Sequence, residues 1–191
     1  MDGPDHTFGG LNIGKAVPHG IYDISNNHAY INIGRGAETA DFLVDSLILW
    51  WENYGKELYP NSQKILILID AGGANSYRHH LFKASIMRLA KVMGIQVHIK
   101  HYPSYASKWN PIEHCVFCHV ARVIKGVFIR TFEEFKKLVS RAKTKTGLQV
   151  TVNDLEGDYQ IGLRGNKESW EGIVQLEPVL PKWNYFCPPV F

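Results

Sequence analysis

Apolar residues recur along this chain in two rhythms, and the switches between them predict its elements. Residues 15–24 and 28–34 alternate with a period near two, the signature of strands. Ser25-Asn26-Asn27 lies between them as a turn, so the pair reads as a hairpin, with Pro18 and Gly20 marking an edge or a bulge. From Glu38 to Asn53 the period lengthens to that of a helix: Phe42, Leu43, Leu47, Trp50 and Trp51 fall on one broad face, and Gly55 is the expected stop. Ile65 to Ile69 is then an unbroken apolar run. It is too short for a helix and is followed by Asp70 and glycines, so it predicts a strand buried on both faces. Residues 77–93 return to the helical period and end at Gly94, and 95–101 alternate cleanly as a strand. After a loop, Asn110 as N-cap and Pro111 open a helix to about Ile124. Thr131, with Glu134 three residues on, opens another to about Lys143. Gln149 to Val152 suggests a short strand, and residues 155–191 read mostly as loop. Strands that alternate with helices after a leading hairpin predict an α/β domain built on a mixed sheet.

Composition narrows this only a little. The chain has 191 residues, 45% of them hydrophobic, enough for a core. A net charge of +3 permits nucleic-acid binding without requiring it. Three cysteines, Cys115, Cys118 and Cys187, and no signal peptide fit a reducing, cytoplasmic setting. No stretch approaches the roughly 18 apolar residues of a membrane helix, so no membrane is expected as partner.

Chemistry concentrates at two places. Asp70 follows the unbroken apolar run, and the small residues Ala71 to Ser76 put no bulk beside it. A carboxylate at the tip of a buried strand is expensive unless something pairs with it. It reads either as a metal ligand at the mouth of an α/β sheet or as a cap on the next turn. Glu113 stands in the first turn of a helix beyond the next strand, where it is a metal ligand or a simple first-turn acid. One helix separates the two strands, which allows a parallel βαβ unit and convergence of both carboxylates. Such a pair suits Mg²⁺ or Mn²⁺ and phosphoryl transfer. Lys108 and Trp109 precede Glu113 and suit DNA, the lysine on phosphates and the tryptophan on a splayed base. His114-Cys115-Val116-Phe117-Cys118-His119 contains a zinc-like C-x₂-C, but no second pair follows. Buried cysteines on a helix are the simpler expectation.

Several stretches together resemble the Rhodopirellula-type DDE transposases of bacterial insertion sequences. They are Gly-Lys-Ala-Val-Pro-His-Gly-Ile-Tyr-Asp (14–23), Thr-Ala-Asp-Phe (39–42), the Trp50-Trp51 pair and Asp-Ala-Gly-Gly-Ala-Asn-Ser (70–76). They continue with His-Tyr-Pro (101–103), Ser-Lys-Trp-Asn-Pro-Ile-Glu-His (107–114), Thr-Lys-Thr-Gly-Leu-Gln-Val (144–150) and Trp-Asn-Tyr (183–185). The resemblance implies a ribonuclease-H-like mixed sheet flanked by helices. It also implies an acidic triad that holds two Mg²⁺ or Mn²⁺ ions and drives DNA cleavage and strand transfer. Asp70 matches the second aspartate of that triad and Glu113 the closing glutamate. Lys108, Trp109, Asn110 and Asn75 are expected to shape the site or touch DNA. The implied partner is double-stranded DNA, at transposon ends and target, with room for a homo-oligomer. The implied setting is the bacterial cytoplasm, at the nucleoid when DNA is bound.

The match departs from the family at its start. Two strands, not three, precede the first helix, so the strand carrying the first aspartate is expected to lie before residue 1. The expected organisation is a ragged segment at 1–14, a ribonuclease-H-like catalytic domain lacking its first strand at 15–145, and a C-terminal extension at 146–191. Asp23 is the available substitute ligand, although surface or turn-capping duty suits it better. Besides a transposase part, two other functions stay open: an inert remnant that at most binds DNA, and a metal-dependent nuclease that uses Asp23.

Overall fold

The computed structural model describes residues 16–190, apart from residues 73–75, 77 and 104. These residues form two compact units, each assembled from two separate stretches of chain: the residues up to Ala37 with Pro111–Asp158, and Glu38–Asn110 with Tyr159–Phe191.

The first unit holds the hairpin. Strand β1 (Ala16–Asp23) pairs antiparallel with β2 (His28–Arg35), Ala16 opposite Arg35 and Asp23 opposite His28. On its other side β2 takes a parallel partner, β5 (Gln149–Leu155), His28 opposite Gln149. A strand flanked on both sides is a central strand, and residues 29–34 of β2 are buried on both of its faces. Ala29, Ile31 and Ile33 form a core with Val116, Val120, Phe135, Val139, Ala142 and Leu148. Two helical segments supply Val116, Val120, Phe135 and Val139. One is a wide, π-helical turn over Glu113–Phe117 that runs on as an α-helix over Cys118–Ile124. The other is Phe132–Val139, opened by the predicted capping box: the Glu134 N–H donates to Thr131 Oγ1 at 3.0 Å, and the Thr131 N–H donates to Glu134 Oε2 at 3.3 Å.

The second unit carries a four-stranded sheet in the order β3 (Lys64–Ile69), β4 (Gln96–His101), β7 (Asn184–Cys187), β6 (Gln175–Leu176). The predicted parallel β3–β4 pair is present, Ile69 opposite His101, whereas β7 runs antiparallel to β4. Helix α1 (Ala40–Trp50) packs against α2 (His80–Met93), which also meets β4 and β7. The unit buries Phe42, Leu47, Phe82, Ile86, Leu89, Val97, Ile99, Trp170 and Tyr185.

Three expectations change here. The strand leading to Asp70 is not covered on both faces: Leu66 and Leu68 are 54% and 38% exposed, while Ile65, Ile67 and Ile69 are half-buried. Among the described residues β3 is an edge strand, so its apolar run has cover on one side only. Gly55 does not stop the first helix, which continues through a π-helical turn, Trp51–Gly55, to Leu58. A β-carbon at Gly55 would stand 2.6 Å from the Trp51 ring, so glycine serves close packing there instead of a cap. Finally, residues 146–191 supply strands to both sheets, with Trp170, Val174, Tyr185 and Cys187 buried.

Candidate functional site

Asp70 stands one residue beyond β3, at the carboxyl end of the parallel β3–β4 pair, where open α/β sheets gather ligands. The chain leaving β4 is fastened beside it, because the Tyr102 N–H donates to the Ile69 carbonyl at 2.8 Å. The Tyr102 phenol is pushed up by burial and then by the Asp70 carboxylate. Asn110, itself buried, donates from Nδ2 to Asp70 Oδ1 at 3.2 Å. That bond uses the amide nitrogen of Asn110, the residue the sequence suggests as a helix cap. His101 backs the site with its ring: Nδ1 donates to the Trp183 carbonyl at 2.9 Å.

Between Tyr102 and Asn110 the chain makes two tight reversals, Ala106 N–H to the Pro103 carbonyl at 3.1 Å and Trp109 N–H to the Ala106 carbonyl at 2.8 Å. They present Tyr105 and Trp109 to solvent, and Lys108 Nζ sits 5.3 Å above the Trp109 ring. Sequence reasoning pointed to Lys108, Trp109 and Asn110 but passed over Tyr102 and Tyr105. The available signal was a pair of tyrosines around Pro103 between a strand end and an acidic motif.

Asp70, Lys108, Trp109 and Asn110 all belong to the second unit. Glu113 belongs to the first, where it is half-buried and opens the π-helical turn. Asn75 lies outside the described residues. Asp23 is occupied by its own turn: Oδ1 accepts from the Ser25 and Asn26 N–H groups at 3.0 and 3.2 Å, and Oδ2 from Asn26 Nδ2 at 2.8 Å. Cys115 is half-buried and Cys118 exposed, its thiol donating to the His114 carbonyl at 2.7 Å, so the pair is not the buried one expected. Among the described residues, no group of three or more His, Cys, Asp or Glu side chains is placed to hold a metal ion.

The family model described as the Rhodopirellula transposase DDE domain matches residues 1–189. The chain belongs to that family. No curated protein and no solved structure matches it. For a DDE transposase domain the implied activity is DNA transposition, the implied partner DNA and the implied cofactor a divalent metal ion. The mixed α/β architecture, with two mixed sheets and four α-helices longer than one turn among the described residues, is compatible with such a domain. Among the described residues no helix is long and apolar enough to cross a membrane.

Proposed function

We propose that this chain is the ribonuclease-H-like catalytic part of a DDE transposase and that Asp70 and Glu113 are two of its metal ligands. The observation that carries the reading is the setting of Asp70. It is a carboxylate at the mouth of two parallel strands, with one oxygen held by a buried asparagine. Asn110 fixes Oδ1 and orients the group, and we assign Oδ2 to the ion. An oxygen-only donor of this kind fits Mg²⁺ or Mn²⁺. When bound, the ions would activate the attacking oxygen and steady the leaving one during phosphodiester cleavage and strand transfer. Asp23 keeps its turn, so we do not assign it to the ion.

Cleavage of DNA carrying transposon ends, measured against Mg²⁺ and Mn²⁺ concentration, tests this. Asp70→Ala and Glu113→Gln should each drop cleavage to background. Metal-independent cleavage, or full activity in Asp70→Ala, refutes the assignment. The second reading is an inert DNA-binding domain. It draws support from the lack of a three-carboxylate group among the described residues, and it predicts no cleavage at any Mn²⁺ concentration.

A further inference from the structure

The loop between β4 and Asn110 carries a feature the catalytic reading leaves unused. Tyr105 is fully exposed and Trp109 is 68% exposed, whereas Trp50, Trp51 and Trp170 are all buried. Large aromatic rings held in water lose the burial that usually stabilises them and leave their faces open to a ligand. Tyr105 has a φ of +64°, a left-handed conformation that costs a bulky residue energy. The two reversals around Ala106 hold it there. Both ends are pinned at the candidate site, Tyr102 by its bond to Ile69 and Asn110 by its bond to Asp70. Lys108 adds a cation against the Trp109 ring.

We propose that this loop is a stacking platform for unpaired DNA, Tyr105 and Trp109 each taking the face of a splayed base and Lys108 meeting the adjoining phosphate. The proposal rests on the transposase reading and names the form of substrate that reaches Asp70: a strand whose bases are out of the duplex. Within a duplex the base faces are already covered by their neighbours, so exposed side-chain rings have nothing to stack on. In a frayed or single strand every base offers one, whatever its sequence. The anionic backbone matches the lysine, and the position beside Asp70 places the unpaired nucleotides next to the cleavable phosphodiester.

The test is a fluorescence titration of the full chain in EDTA with oligo(dT), set against a blunt duplex of the same length. Stacking on Trp109 should quench the indole emission, and the single strand should bind more tightly than the duplex. Trp109→Phe should lose most of the quenching and keep most of the affinity. Trp109→Ala and Tyr105→Ala should each weaken single-strand binding by roughly 5- to 150-fold. Lys108→Gln should lower the slope of log K against log salt by about 0.7. Because both rings are exposed, the variants should keep the parent's circular dichroism and melting midpoint. Equal affinity for duplex and single strand overturns the proposal, as does parental binding by the folded alanine variants. Self-association that depends on Trp109, with no quenching by oligo(dT), overturns it in favour of a protein contact. Binding is read without metal, so a chain that prefers single strands but never cleaves contradicts the catalytic reading alone. Cleavage without a single-strand preference contradicts this proposal alone.

Discussion

His19 gives the first unit a dependence on pH that can be calculated. It lies on β1 opposite the fully buried Asn32, next to Gly20, whose surface is closed over by Phe117 and Ile112. Burial pushes its imidazole down from 6.5 to about 4. Between those values the unfolded chain binds a proton that the folded chain refuses, so stability is complete above pH 6.5 and falls as pH drops toward 4. With 1.36 kcal/mol per pKa unit, the loss reaches about 2 kcal/mol at pH 5 and about 3 kcal/mol once both states are protonated. His19→Gln removes the titration, so its stability should change less between pH 7 and pH 5 than the parent's, by about 2 kcal/mol. The absolute cost of the substitution is immaterial, because only the two pH slopes are compared. All five tryptophans lie in the other unit, so indole emission is the wrong probe. Native-state hydrogen exchange at the β1 and β2 amides reads the right one. Equal slopes for parent and variant would refute the claim that the half-buried His19 is held neutral.

Two further outcomes follow from packing. A β-carbon at Gly165 would lie 2.5 Å from the Leu81 nitrogen and 2.7 Å from its Cα, backbone atoms that cannot swing aside. Gly165→Ala should therefore cost about 1–3 kcal/mol, seen as a lowered melting midpoint, and an unchanged midpoint would contradict the close approach. Leu66 is 54% exposed on an edge strand, so Leu66→Lys should shift stability by no more than about 0.5 kcal/mol and reduce light scattering in concentrated solution. A large loss of stability would mean that this face is covered.

The sequence rhythm was a good guide wherever an element's neighbours are local. The β1–β2 hairpin, the Gly94 cap and the Thr131–Glu134 box were readable because each depends on residues a few positions apart, and the parallel β3–β4 pair because a single helix links its strands. Asp70 stood out for a similar reason, a charge ending an apolar run. What could not be read was cover supplied from far along the chain. Nothing within Ile65–Ile69 says that Leu66 and Leu68 lack a partner layer, and nothing in Gly55 says that two tryptophan rings crowd it. The bond from Asn110 to Asp70 was hidden too, since an asparagine before Pro-Ile-Glu reads equally well as a helix cap.

The pairing of β2 with β5 and of β4 with β7 sets a timetable for synthesis. His28 emerges from the ribosome long before its neighbour Gln149. Val97 waits likewise, for Cys187. Until those partners arrive, β2 and β4 each have one edge unmet. A stop, a tag or a proteolytic nick just ahead of Asn184 would then do more than trim a tail. It would leave β4 with an open flank and remove Tyr185 from the centre of the second unit.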